Sequence, residues 1–338
     1  MASTSMLSNW GAVIATQNLP KGAEMDLVSR WLLIIRASVF PMTLCSGLIG
    51  GLLAVGHPDA HFGWCLLSVL GLVVAHSANN MINDWFDVAG GVDTAGYVRA
   101  QYSPHPILSG LISKKGLAAA ILAANVIDLA ILVKLVEVRG WPVVAFGLAG
   151  LFISVFYVAP PLKLKHRGLG EPGVAVVWGP LMIGGTYYVT TGEAPAWVFL
   201  ASLPYAMLVT TVLFGKHVDK HDSDEAKGIR TLPVILGKDR ALAWTRAMMI
   251  AYFPLVGLLV LTGAVGGWCL LTLVAVPRLM ETLETFRKPP PTECPPGYPI
   301  WPLWYVAWAF RLNRRAGGLF VLGLLLDAIF PIHVVLHG

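Results

Sequence analysis

Residues 62–94 read FGWCLLSVLGLVVAHSANNMINDWFDVAGGVDT, an apolar run that passes without a break into Asn80, Asn83, Asp84, Asp87 and Asp93. The apolar part is long enough to cross hydrocarbon about 30 Å thick, which takes about 20 helical residues. It does not alternate, so it reads as a helix and not as a barrel strand. In helical register Asn83 and Asp87 are four apart and Asp84 and Asp87 three apart, so all project toward one spot. Gly90 and Gly91 then end the helix and let Asp93 fold back.

Runs of the same kind recur at 31–55, 116–137, 141–160, 172–191, 196–215, 241–262, 264–284 and 316–336. The expectation is an all-α polytopic membrane protein of about nine transmembrane helices. Composition agrees, because the 338 residues are 56% hydrophobic and 13% charged, with a mean hydropathy of +0.68. A soluble domain carries about 25% charged residues, so a disordered chain is excluded and the composition argues strongly against a soluble globular one. Cys45, Cys65 and Cys269 sit in apolar runs and Cys294 in a Pro-rich loop, which implies neither a disulfide framework nor a zinc site.

Residues 1–30 lack a basic start followed by an apolar run, so they read as an N-terminal cytosolic tail or interfacial helix, with 31–338 as one transmembrane domain. With the N-terminus in the cytoplasm, the loops on that side carry Arg99, Lys114, Lys115, Lys163, Lys165, Arg167, Lys216, Lys220, Lys227, Arg230, Lys238, Arg287, Lys288, Arg311, Arg314 and Arg315. The opposite loops hold little beyond Lys134 and Arg139. That is the positive-inside asymmetry, and it accounts for the net charge of +5 without nucleic acid. The aromatic residues Trp31, Trp141, Trp301 and Trp304 read as interface belts.

A second acidic cluster, KHVDKHDSDEAKGIRT over 216–231, ends the run at 196–215. An even number of spans separates the two clusters, which puts them on one membrane face, where they can meet across one cavity. Like charges brought together repel by several kcal/mol in a partly desolvated site unless a cation lies between them. Magnesium suits such a site, since it takes oxygen ligands from one or two carboxylates and substrate phosphates. Interspersed lysines would complete the coordination of a diphosphate, and its hydrocarbon tail would lie between the helices. The blander readings are a solvated loop for the second cluster, helix packing for His76, His217 and His221, and an interfacial acid for Asp327. Asp128, an acid within an apolar run, is a hint of function by its depth alone.

The residues carrying these acids resemble a known family. Asn83 to Asp87 with Gly91, Asp93 and Thr94 is similar to the first aspartate motif of the UbiA-type intramembrane prenyltransferases, in the form found in the branch that prenylates dihydroxynaphthoate. HPILSG at 105–110, FYVAPPLKLKHRGLGE at 156–171, GPL at 179–181 and GGTYY at 184–188 resemble the same branch in the same order, as does Arg36 in the first span. The second cluster departs from that branch, with Lys216 and His217 where it has a pair of Asn, and its acids are offset by one residue.

The resemblance implies helices ringed around a central cavity, two Mg2+ ions, and transfer of a polyprenyl group from a polyprenyl diphosphate to a lipophilic, aromatic acceptor in quinone-type biosynthesis. By it Asn83, Asp87 and Asp93 would hold one ion and Asp219, Asp222 and Asp224 the other. Arg36, Lys163, Lys165 and Tyr157 would contact or orient the diphosphate, joined on the substrate side by Asn80, Asp84, Lys216 and Arg230. Asp87, Asp219, Lys165 and Tyr157 form the expected catalytic set, with Tyr157 or Trp178 facing the allylic cation. The active site would lie at the cytoplasmic face of the cell membrane, with lipid around it and no obligatory protein partner. The alternatives are a terpene cyclase needing no acceptor, transfer of a prenyl or phosphoribosyl-type group to a non-aromatic acceptor, and a cation-coupled transporter. A transporter would scatter its acids at mid-membrane depth, whereas here they gather at one face.

Overall fold

The computed structural model describes residues 5–332, and among them there is no β-strand, only an isolated bridge between Arg167 and Arg230. The first helix, α1 (Met6–Thr16), docks on α2 (Leu27–Ile34) through Asp26. That carboxylate accepts from Trp10 Nε1 at 3.0 Å and caps α2 by accepting from the N–H groups of Val28 and Ser29. The stretch expected as a tail is therefore fastened to the body by its own helix. A 3-10 turn, Ala37–Val39, leads into α3 (Phe40–Leu53), and the α2–α3 pair is bent by 63°. Arg36 stands at the bend with φ at 55°, a region that costs a residue with a side chain about 1–3 kcal/mol.

Next comes α4 (Phe62–Ala89), whose 28 residues span about 42 Å. That is longer than a crossing of about 30 Å requires, and its last two turns carry Asn83, Asp84 and Asp87. After the short α5 (Val98–Tyr102) come α6 (Lys114–Arg139) and the shorter apolar α7 (Pro142–Phe156). The run at 172–191 is one broken rod made of α8 (Gly170–Val176), a π-helical segment (Val177–Gly184) and α9 (Gly185–Thr191). Pro180 lies inside the π segment, where its missing N–H loosens the hydrogen-bond ladder. Then follow α10 (Ala196–Asp219), α11 (His221–Ala226), α12 (Leu232–Leu236), α13 (Lys238–Leu261), a 3-10 segment (Gly267–Ala275), α14 (Val276–Thr285) and α15 (Tyr305–Ile329).

Most of each apolar run read from the sequence falls on helix, with the ends of the runs at 157–160, 264–266 and 330–332 outside helix. Helices α4, α6, α10 and α13 are long and apolar enough to cross a membrane, and the bent α2–α3 pair makes a fifth crossing. The other runs are shorter or interrupted, so about nine crossings stays an expectation. Residues 333–336 of the last run lie outside the described residues. One reading needs correction: Arg311, Arg314 and Arg315, taken as charges of a loop, lie in α15, because that helix starts at Tyr305.

The core is organised on α10, which packs against α3, the π segment, α13 and α15. Tyr205, Tyr252 and Phe320 are fully buried there. The two tyrosine hydroxyls donate to Met42 O at 3.2 Å and Ala316 O at 3.1 Å, which satisfies groups that cannot reach water. Helix α6 instead exposes Leu122, Val126, Ile127, Leu129 and Val133, a surface suited to lipid.

Where α10 meets the start of α15, only glycine fits. A Cβ on Gly215 would lie 2.9 Å from Val306 N and 3.0 Å from Val306 Cα, backbone atoms that cannot turn aside. Gly215→Ala should lower stability by about 1–3 kcal/mol through overpacking. The measurement is the thermal midpoint in detergent; a midpoint equal to the native one would contradict so close an approach.

Candidate active site

The first acidic cluster is shaped by the end of α4. Gly90 caps the helix, Gly91 takes the left-handed region at φ 72°, and the N–H groups of Val92 and Asp93 return to Asp87 O at 2.8 and 2.9 Å. Asp93 is folded back, as the spacing predicted. Asp84 is fully buried, ion-paired with Arg36 and with Arg99, whose Nε is 3.2 Å away. His105 Nε2 lies 3.3 Å from Asp84 Oδ1 and 3.2 Å from Asp93 Oδ2. Since His105 Nδ1 accepts from the N–H groups of Ile107 and Leu108 at 3.2 and 3.4 Å, Nε2 is the donor. Asp84, Asp93 and His105 are close enough to share an ion. With both guanidiniums and the imidazole N–H already on Asp84, however, that carboxylate serves as their anchor and has no room for a cation.

The second cluster reaches the first through Tyr97. Its hydroxyl donates to the buried Asp224, which also pairs with Lys220 Nζ at 3.1 Å. The Tyr97 ring is flanked by the ammonium groups of Lys220 at 4.6 Å and Lys227 at 4.5 Å, a cation–π arrangement. Lys227 Nζ in turn donates to Val92 O, and to Gly91 O at 3.3 Å. Lys165 stands between the clusters, buried, 2.7 Å from Asp87 Oδ2. Burial works to strip its proton, but Asp87, Asp93 and Asp224 raise its pKa above the ordinary lysine value. Burial likewise opposes the charge on Asp93 and Asp224. The hydrogen bond from His105 to Asp93, together with the nearby charge of Lys165, holds Asp93 below the usual carboxylate range, and the charges of Lys220 and His217 do the same for Asp224.

Some expected residues turn elsewhere. Asp219 accepts from the N–H groups of Tyr305 and Val306 at 2.9 and 3.0 Å, capping α15. Asp222 is exposed and paired with Lys238 at 2.7 Å and His221 at 3.1 Å. Arg230 is also exposed, held by its backbone beside Arg167. Of the second cluster's expected ligands, Asp224 alone joins the first. Lys163 is half-buried, with φ at 45° in the turn before Lys165. Asp219→Ala should therefore act as a lost cap, lowering stability by about 1–2 kcal/mol while the magnesium concentration for half-maximal rate stays put; a large shift in that concentration would return Asp219 to the metal. Tyr97, Arg99 and His105 were not among the expected site residues.

Two adjoining cavities share His76, Asn79, Ser154, Val177 and Trp178 in their walls. The one nearer the acids, about 380 Å³, is lined by Arg36, Asn80, Asn83, Tyr157 and Lys216. The other, about 260 Å³, is walled by Leu72, Leu132, Val143, Phe146 and Leu181, with Asp128 in its lining. Two acceptor oxygens at the acidic end, Asn83 Oδ1 and Asp224 Oδ2, are buried with no hydrogen-bond partner. Buried acceptors without donors suit an oxygen-seeking cation.

Helices around an apolar cavity, capped at one end by joined acids and lysines, make up the scaffold of a membrane-embedded enzyme. The chain belongs to the UbiA prenyltransferase family, whose sequence profile matches residues 43–303. It is an integral membrane prenyltransferase. It is 25% identical over 247 residues to a 1,4-dihydroxy-2-naphthoate octaprenyltransferase of Bacillus subtilis, covering 71% of this chain and 76% of that one. A UbiA homolog from Aeropyrum pernix K1, in its apo structure, superposes with a TM-score of 0.65 at 18% identity over 86% of this chain and 98% of that one. A UbiA homolog from Archaeoglobus fulgidus bound to GPP and Mg2+ gives a TM-score of 0.55 at 16% identity over 86% and 99%. These structural likenesses establish the fold.

Proposed function

We propose that the chain transfers a polyprenyl group from a polyprenyl diphosphate to an aromatic acceptor, with the diphosphate at the joined acids and the tail in the apolar cavity. The observation that carries this reading is the clasp of the two clusters through Tyr97 and Lys227, which leaves Asn83 Oδ1 and Asp224 Oδ2 without partners above an apolar chamber. Asn83, Asp87, Asp93 and Asp224 are the residues that would hold Mg2+, the ion named with the Archaeoglobus relative. When bound, it supplies Lewis-acid stabilisation of charge on the departing diphosphate. The two-ion expectation loses Asp219 and Asp222 to the cap and to Lys238.

In the reaction the C1–O bond of the allylic diphosphate breaks and both electrons leave with the diphosphate. Lys165 and Lys216 neutralise that charge from fixed positions. A ring carbon of the acceptor then bonds to C1, and the ring proton passes to the released diphosphate. The Trp178 and Tyr157 rings line the chamber where the cation forms, worth about 0.5–2 kcal/mol of cation–π attraction each. The similarity to a dihydroxynaphthoate octaprenyltransferase favours a quinone-type acceptor. The test is diphosphate release and product mass with a polyprenyl diphosphate and 1,4-dihydroxy-2-naphthoate, with magnesium and with chelator. A cyclic hydrocarbon from donor alone would establish the cyclase instead.

The positive-inside distribution of the basic loops supports a cytoplasmic location for the joined acids. Cys294 is exposed in the Pro-rich loop that leads to Tyr298 and Pro299 in the lining of the acid-end cavity. A membrane-impermeant thiol reagent should label Cys294 in inside-out vesicles and not in right-side-out ones. The opposite pattern would invert the topology.

A further inference from the structure

The site so described leaves two cations of the acid-end cavity without a task. Arg36 and Arg99 share Asp84, Lys165 holds Asp87 and Lys220 holds Asp224. Arg311 and Arg314 line the same cavity from α15, and among the described residues neither has a carboxylate within ion-pair distance. Arg314 Nη2 donates to Ile14 O at 3.2 Å and Ser38 O at 3.3 Å, while its buried Nε has no acceptor. Its guanidinium lies 4.5 Å from the centre of the Phe310 ring, and that of Arg311 5.1 Å from the centre of the Trp308 ring. A half-buried, preoriented guanidinium with an unused N–H is built for an anion.

The surroundings narrow the anion. Over this end, Asn18 Nδ2 donates to Tyr102 O at 2.8 Å and Pro299 O at 2.9 Å, drawing the N-terminal stretch and the Pro-rich loop together. Ile300, Leu303 and Val306 make the wall beside the arginines apolar. A diphosphate finds its counter-charges at Lys165 and Lys216, and a bare hydrocarbon tail needs no arginine. Farther round the same cavity, Asn79 Oδ1 and Trp178 Nε1 are buried without partners, an acceptor and a donor suited to a ring hydroxyl. We infer that Arg314, assisted by Arg311, is a specificity-determining residue that binds the carboxylate of a hydroxylated aromatic acceptor. The inference rests on the prenyl-transfer reading.

The experiment compares 1,4-dihydroxy-2-naphthoate with its methyl ester on the purified full chain in nanodiscs, first by equilibrium binding without donor, then by steady-state kinetics. The native protein should bind the acid about tenfold or more tighter than the ester, the scale of one charge-assisted hydrogen bond. Arg314→Gln should bring the two together and raise the acceptor KM about tenfold with the donor KM unchanged. Arg314 also braces Ile14 and Ser38, so Arg311→Gln, at an exposed position, is the second variant, expected to shift the same ratio less. An acid-to-ester ratio unmoved by either variant, or a raised donor KM in place of the acceptor KM, overturns the inference. Equal native binding of acid and ester, with the ester still prenylated, defeats it while sparing prenyl transfer. A tenfold preference for the acid, lost in Arg314→Gln, without any prenylated product defeats prenyl transfer and leaves the arginine site standing.

Discussion

Asp87→Ala is expected to reduce magnesium-dependent diphosphate release by about a thousandfold, the upper scale for removing one preorganised electrostatic contact, while the protein stays inserted and folded. Among the described residues Asp87 is the one carboxylate within ion-pair distance of Lys165, at 2.7 Å, and its backbone carbonyl also receives the N–H groups of Val92 and Asp93. The substitution removes the side chain and keeps that carbonyl, so the turn carrying Asp93 survives. Lys165 stays under the influence of Asp93 and Asp224, which limits the damage to the fold. The measurement is single-turnover diphosphate release at saturating magnesium, beside circular dichroism of the same sample. Native rates from folded Asp87→Ala would remove Asp87 from the catalytic set.

Asp84→Ala should fail differently. It leaves the half-buried Arg36 and the buried Arg99 guanidiniums with no counter-charge, and breaking a buried ion pair from one side costs about 3–5 kcal/mol. The expected result is protein that aggregates or melts far below the native midpoint in detergent. Adding Arg99→Leu should recover part of the loss, because one of the stranded charges goes with it. A variant that melts like the native protein but turns over no substrate would make Asp84 a catalytic residue and not an anchor.

These two aspartates, three residues apart on one helix turn, show how far the sequence could be read. Helical spacing brings Asn83, Asp84 and Asp87 to one end of α4 and Gly91 bends Asp93 back, and both follow from local rules. What separates Asp84 from Asp87 is not local: Arg36 comes from a strained bend and Arg99 from a loop helix, and neither stands at a telling interval from the acids. The capping role of Asp219 was illegible for the same reason. Its partners, the free N–H groups of α15, lie far along the chain and come within reach only because Gly215 lets two helices touch. Arg311 and Arg314 looked like loop charges because the apolar run begins after them, although the helix begins before. The apolar runs themselves were readable, since lipid forces long unbroken hydrophobic stretches to be helical.

The Tyr97 to Asp224 link joins positions 127 residues apart, and synthesis at about 5–20 residues per second separates their emergence by roughly 6–25 s. For that interval the nascent chain must shelter Asp84 and Asp93 unaided. Arg36, Arg99 and His105, which neutralise or cradle them, all lie within the first third of the polypeptide, so the early half of the catalytic head can mature on the ribosome before its later counterpart exists.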